Sequence, residues 1–141
     1  LTLLVVDASV VIKWYVPEGD LDDGQALRAP GVRLAAPDLL FVETSNILWK
    51  LVRRGEMQSA RAIEIIDEIV ASAFITYTNK SLARDAIDLA IATGVSAYDA
   101  SYVALAVRLD VLCITADQKL VRKLAGTPTS DHVTLLADYV H

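Results

Sequence analysis

The fold class this sequence predicts is α/β: a central parallel sheet of four to five strands with helices on both faces. Three observations predict it. Short apolar, β-branched runs alternate with longer segments of helical period, the pattern of strand–helix–strand units whose crossover helices cover a sheet. The chain has 141 residues, the size of one domain around one core, so a single domain over residues 1–141 is expected. Hydrophobic residues make up 54% of it and charged residues 22%, which excludes a disordered chain.

The elements follow in order. Leu3-Leu4-Val5-Val6 reads as a buried strand ending at Asp7. Ala8 to Tyr15 is expected to be helical, stopped by Pro17, and the polar stretch Gly19 to Ala29 a loose helix. Leu34-Ala35-Ala36 is a weak second strand. Pro37 is expected to open a strong helix, because proline suits a first turn, and Gly55 to close it after Arg53 and Arg54. Ser59 to Ala73 repeats apolar residues at Ala62, Ile63, Ile66, Ile69, Val70 and Ala73, a helical period. Phe74 to Thr78 reads as a strand, and Ser81 to Thr93 as a helix ended by Gly94. Ser96 opens a helix over Ala97 to Leu109. Val111 to Thr115 is a strand, Gln118 to Leu124 a short helix, Gly126 to Asp131 a loop, and Val133 to Leu136 the last strand.

Mean hydropathy is +0.41, yet the longest stretch without a charge is 11 residues, Ile69 to Asn79. A spanning helix needs about 20, so a soluble protein is expected, with no membrane association. The apolar start carries Asp7 and lacks a basic flank, unlike a secretory signal. The single cysteine, Cys113, excludes an internal disulfide framework and fits a reducing cytoplasm. Thirteen basic and 18 acidic residues give a net charge of -5. A broad basic face for duplex DNA is therefore not expected. Nucleic-acid chemistry is still open if metal ions neutralise some of the carboxylates.

Four acids lie where acids are expensive. Asp7 ends an apolar strand, and Asp117 follows the apolar run Val111 to Ala116. Glu43 is the only charge between Leu39 and Trp49, and Asp99 the only one between Ala97 and Val107. A carboxylate in an apolar helix must be paired, hydrogen-bonded or metal-bound. Asp7 and Asp117 have an ordinary alternative as caps of the helices that follow them. Asp99, three residues after Ser96, has one in a capping box. Glu43 lies too far into its helix to cap it, and its ordinary alternative is a partly exposed position.

In a doubly wound sheet, sites form outside the carboxyl ends of the strands. Asp7 and Asp117 follow strands, and Glu43 and Asp99 lie early in helices, within reach of that edge. Two unit charges about 4 Å apart cost about 4 kcal/mol at an effective dielectric of 20. Mg²⁺ or Mn²⁺, one ion or two, relieves this, because hard cations take carboxylate oxygens. Ser9, Asn46 and Thr115 stand near these acids in sequence and are candidates to orient them by hydrogen bonds. A capping hydroxyl, an exposed amide and a strand residue are their ordinary alternatives.

The residues that carry this pattern are Val5-Val6-Asp7-Ala8-Ser9-Val10-Val11-Ile12-Lys13-Trp14, Pro37-Asp38-Leu39 through Glu43 to Asn46-Ile47-Leu48, Tyr98-Asp99-Ala100-Ser101-Tyr102-Val103-Ala104-Leu105-Ala106 and Thr115-Ala116-Asp117-Gln118-Lys119-Leu120. Each is short, but the four occur in order over most of the chain. Together they resemble the PIN domain, and more closely the VapC toxins of prokaryotic toxin–antitoxin pairs. The resemblance implies a PIN-like fold and a metal-dependent endoribonuclease, with Asp7, Glu43, Asp99 and Asp117 as catalytic metal ligands for Mg²⁺ or Mn²⁺. It implies support from Thr115, Ser9 and Asn46, an RNA substrate, a homodimer and a small VapB-like antitoxin. A catalytically degenerate PIN domain, binding protein or RNA without cutting, is the alternative.

Other acid-clustering folds fit less well. A receiver domain needs an acid after the third strand and a lysine after the last, but Phe74 to Lys80 holds no acid and Val133 to His141 no lysine. A haloacid-dehalogenase-like phosphatase needs a second Asp where Ser9 stands. On the helix after Pro37, Lys50 and Arg54 follow Glu43 by seven and eleven residues. The three therefore fall within roughly 40° of one another, with the cations ~10 Å and ~16 Å from the acid. That stripe is a candidate path for an RNA backbone. The ordinary alternative is a solvated helix end, where cations are favoured.

Overall fold

The computed structural model describes residues 1–16 and 24–140. Its centre is a five-stranded sheet of β1 (Thr2–Val6), β2 (Val32–Pro37), β3 (Ile75–Tyr77), β4 (Cys113–Thr115) and β5 (Val133–Leu135), in the order β3-β2-β1-β4-β5. Every pairing is parallel. In β1, Leu4, Val5 and Val6 are all buried. Successive side chains of a strand point to opposite faces, so both faces of β1 are covered, as a parallel sheet requires. The chain builds β1, β2 and β3 outward on one side, then crosses to β4 and β5 on the other. The strand order therefore reverses between β1 and β4, where sites form in such sheets.

The helices are α1 (Ala8–Val11), α2 (Leu39–Arg53), α3 (Ser59–Ala71), α4 (Asn79–Thr93), α5 (Ala97–Leu109), α6 (Gln118–Leu124) and α7 (Leu136–Val140). Helix α5 carries the seven consecutive buried residues Ala100 to Ala106. It is apolar on every side because it packs against β1, β2, β4 and α4 at once. Gly94 ends α4 at φ 81, a left-handed conformation that glycine adopts without a Cβ clash.

Several expectations are corrected. Pro37 is the last residue of β2, opposite Tyr77, and does not open α2. Asp38 takes the N-cap position instead, and its Oδ1 accepts from the Asn79 N–H at 3.0 Å. Asn79 Oδ1 accepts from the Leu39 N–H at 2.8 Å, so the starts of α2 and α4 satisfy each other's orphan donors. This reciprocal pair fixes the ends of β2 and β3. The helix expected over Ala8 to Tyr15 is α-helical only to Val11, and Ile12–Trp14 is a 3₁₀ turn. The loose helix expected over Gly19 to Ala29 lies partly outside the described residues; within them Ala26–Arg28 is a 3₁₀ turn.

In α3 the period is helical, but its buried face is Ile65 and Ile69, while Ile63 (61% exposed) and Val70 (62%) face outward. Each buried isoleucine contributes about 1.5–3 kcal/mol. The loop expected over Gly126 to Asp131 contains a 3₁₀ turn, Pro128–His132, and α7 follows β5 where no helix was expected. Among the described residues no single helix is long and apolar enough to cross a membrane.

Candidate active site at the carboxyl edge of the sheet

The register of the central strands sets up the site. Val6 pairs with Ile114 across β1 and β4, so the next residues, Asp7 and Thr115, meet at the carboxyl edge. Asp7 is buried, 6% exposed, and its side chain caps α1 by accepting from the Val10 N–H at 3.3 Å. Ser9 Oγ donates to Asp7 Oδ1 at 2.5 Å, and Thr115 Oγ1 donates to Oδ2 at 2.5 Å. Both hydroxyls also accept from the β4 end: Ser9 Oγ from the Ala116 N–H at 3.0 Å, Thr115 Oγ1 from the Asp117 N–H at 3.1 Å. Two hydroxyls thus tie Asp7 to the backbone that carries Asp117. Asp117 in turn caps α6, its Oδ1 accepting from the Lys119 N–H at 2.9 Å.

Asp99 and Glu43 reach this edge from helices. Asp99 sits in the first turn of α5, where Ser96 Oγ accepts its backbone N–H at 3.1 Å. Glu43 is the fifth residue of α2 and half-buried. The charges identify these groups as neighbours. Burial raises the pKa of Asp7 to about 6 against the lowering effect of its hydroxyl and amide donors, and Asp99 raises it further. Burial raises Glu43, and Asp99 adds to it. Burial and then Asp117 raise Asp99, against the lowering effect of the Ser96 hydroxyl and of Lys123. Asp99 is therefore the hub that feels or repels each of the other three. Buried Cys113 is pushed up by burial and by the charges of Asp7 and Asp99, a second sign that negative potential fills this edge.

Tyr102, to which the sequence analysis gave no role of its own, belongs to the same place. It follows Asp99 by three residues, on the same face of α5. It is 2% exposed, and its hydroxyl is the one buried side-chain polar atom without a hydrogen-bond partner among the described residues. The hydroxyl lowers the pKa of Glu43, while burial, Glu43 and Asp7 push its own pKa up. It thus faces the acids, outside good hydrogen-bond geometry. The spacing from Asp99 was the available signal. Asn46 is exposed, and no hydrogen bond joins it to the acids.

The donor set suits a hard divalent cation, since it is made of carboxylate oxygens with hydroxyl support and no imidazole. Among the described residues, however, no group of three or more His, Cys, Asp or Glu side chains stands ready gathered around one point. The acids interact in pairs through Asp99, the spacing that like charges favour. Beside them lies a cavity of about 480 Å³ whose lining includes Ser9 and Asp117 together with Lys13, Lys50 and Arg54. The stripe expected on α2 therefore borders the acids through Lys50 and Arg54, with Lys13 added from the turn after α1.

Comparison with known proteins agrees with this fold. The PIN domain family model matches residues 4–125. The chain is 34% identical over 128 residues to ribonuclease VapC3 of Pyrobaculum aerophilum, covering 89% of this chain and 98% of that protein. It is 33% identical over 119 residues to VapC ribonuclease Mb0985 of Mycobacterium bovis, covering 84% and 88%. Among solved structures, PAE2754 from Pyrobaculum aerophilum superposes with a TM-score of 0.72 at 24% identity, covering 99% of this chain and 87% of that one. A toxin–antitoxin complex from Klebsiella pneumoniae gives a TM-score of 0.62 at 18% identity, covering 94% and 97%. VapC20 of Mycobacterium tuberculosis, a sarcin–ricin-loop-cleaving toxin, gives 0.66 at 14%, covering 84% and 93%.

Proposed function

Because this chain belongs to the PIN domain family, in its VapC branch, we propose that it is an endoribonuclease that uses Mg²⁺ or Mn²⁺ held by Asp7, Glu43, Asp99 and Asp117. The observation that supports the reading is the pairwise coupling by charge of Asp99 to each of the other three acids, beside the β1–β4 switch. When bound, the cation supplies a more acidic water and positive charge for the phosphate oxygens. The protein's own residues orient and balance. Ser9 and Thr115 fix both oxygens of Asp7. The amide of Lys119 fixes Asp117. Lys50 and Arg54 offer charge to phosphates approaching over α2. The chain has 18 acidic and 13 basic residues, so those local cations matter for admitting a polyanion.

A VapB-like antitoxin and a second copy of the chain are the partners this reading brings, the first supported by the VapC relatives and the toxin–antitoxin neighbour. Trp49, 52% exposed beside Ile63 in an apolar groove between α2 and α3, suits a protein contact. Trp14 does not, because it is stacked on Phe74 at 5.9 Å. The second reading, a PIN domain that binds without cutting, draws on the ungathered acids. RNA cleavage with Mn²⁺ and with EDTA separates the two. The nuclease reading expects cutting only with the metal, and a melt stabilised by about 2.7 kcal/mol at a hundredfold excess of Mn²⁺ over Kd. Asp99→Asn should gain less. RNA left intact by the folded wild type, with no metal-induced shift, would establish the binding module.

A further inference from the structure

Among the described residues four hydroxyl-bearing side chains are buried: Thr44, Ser101, Tyr102 and Thr115. Three are satisfied. Thr44 Oγ1 donates to the Leu40 carbonyl at 2.8 Å, Ser101 Oγ to the Ala97 carbonyl at 2.8 Å, and Thr115 Oγ1 to Asp7. Tyr102 is the exception. A buried hydroxyl without a partner is costly, and a phenylalanine would fill the same space without that cost. The tyrosine lies between β1, β2 and β4, against which α5 packs, one turn after Asp99. The charges that act on its hydroxyl are Glu43 of α2 and then Asp7 at the end of β1. The acids show a matching exception. Asp7 has a donor at each carboxylate oxygen, Asp117 has the Lys119 amide, and the Ser96 hydroxyl favours ionised Asp99. For Glu43 the one such donor among the described residues is Tyr102, and it stands outside good hydrogen-bond geometry. An orphan donor and a loosely held acid thus face each other. Burial and the two charges keep the phenol protonated, the form that donates.

We propose that Tyr102 is a positioning residue, whose hydroxyl closes onto the Glu43 carboxylate when a divalent cation is bound and holds that acid in place for the metal. The proposal rests on the metal-site reading above and adds the group that orients the least constrained of its four acids. Tyr102 acts through Glu43 and touches neither metal nor RNA. The hydroxyl is left unsatisfied in the metal-free protein and satisfied in the loaded one, so it favours the loaded state.

The test measures Mn²⁺ binding to the RNA-free protein, by the electron paramagnetic resonance signal of the unbound ion. It compares wild type, Tyr102→Phe, Glu43→Ala and the double variant. Tyr102→Phe keeps the ring and should weaken Mn²⁺ binding about 10-fold or more, the range for a partner that orients a metal ligand. In the Glu43→Ala background the same substitution should cost less than about twofold, because the group through which it acts is gone. Ser101→Ala removes a neighbouring buried hydroxyl that the helix itself satisfies, and should leave the Kd unchanged. Mg²⁺ added to wild type should also shift the tyrosine absorption band to the red, as a phenol that donates to a carboxylate does, and Glu43→Ala should abolish the shift. That second readout decides the matter if Tyr102→Phe fails to fold: a shift that depends on Glu43 supports the proposal, and no shift in wild type overturns it. An unchanged Kd in Tyr102→Phe, or a loss equally large without Glu43, overturns the proposal and leaves the metal site standing. Wild type that binds no Mn²⁺ at millimolar concentration overturns the metal reading and the proposal with it.

Discussion

The ends of β1 and β4 look alike in sequence and differ in the structure. Each is an apolar run closed by an aspartate that caps the next helix. Asp7, directly after β1, is buried, with both carboxylate oxygens taken by Ser9, Thr115 and the Val10 amide. Asp117 stands one residue further beyond its strand, partly exposed, and accepts from a backbone amide only. One residue of extended chain is about 3.3 Å, enough to move a carboxylate from under the sheet edge to its mouth. The same local pattern therefore yields one acid held at both oxygens and another held at one.

Four substitutions test this difference, in order of expected effect. Asp7→Asn and Asp117→Asn should each lower Mn²⁺-dependent RNA cleavage by about 10³-fold or more, because each removes an anionic ligand worth several kcal/mol to the transition state. Single-turnover assays would show it. A wild-type rate in either would remove that acid from the site.

The next effect belongs to Asp7 alone. Its pKa of about 6 in the fold lies above the ordinary aspartate value of 3.8, so the folded state holds the proton more tightly than the unfolded chain. The resulting penalty is absent below pH 4, grows as pH rises through 4 to 6, and is fully expressed above 6, where it amounts to about 3 kcal/mol. Stability in EDTA should therefore fall over that window more steeply for wild type than for Asp7→Asn, in which the raised Glu43 and Asp99 still contribute, as urea denaturation at pH 4.5 and pH 7 would measure. Equal slopes would mean that Asp7 is not held as described.

Thr115→Val removes the hydroxyl that donates to Asp7 Oδ2 and should cost about 2 kcal/mol at pH 7, the range for a hydrogen bond to a charged group. The loss should shrink at pH 4.5, where Asp7 is protonated. The smallest effect is expected at Tyr102→Phe. Its hydroxyl is buried without a partner in good geometry yet lowers the Glu43 pKa, so its removal should change apo stability at pH 7 by no more than about 1 kcal/mol in either direction. A loss of more than that, read by thermal melt, would show that the hydroxyl is bonded in solution.

Much of the architecture was legible because it rests on local pattern. The bounds of α5 and α6 agree with the capping residues Ser96 and Asp117 and the apolar runs after them. Glu43 and Asp99 stood out because a lone charge in an apolar helix has few inexpensive homes. Pro37 misled, since its fixed φ serves a strand end as well as a first turn. The outward face of Ile63 and Val70 was hidden because a helix apolar on several sides does not announce which side is covered.

By itself, then, the sequence determined which residues carry the charge, the alternation of strands and helices, and the family to which they belong. The tertiary structure decided what no local rule contains. It set the β1–β4 register that brings Thr115 and Ser9 onto Asp7, the approach of Lys123 to Asp99, the reciprocal caps of Asp38 and Asn79, and the cavity that joins Lys13 to Lys50 and Arg54. The physical reason is distance along the chain. Helical period, capping and strand alternation act within a few residues. A hydrogen bond between Thr115 and Asp7 spans 108 positions and exists only because parallel pairing brings two strand ends to the same edge.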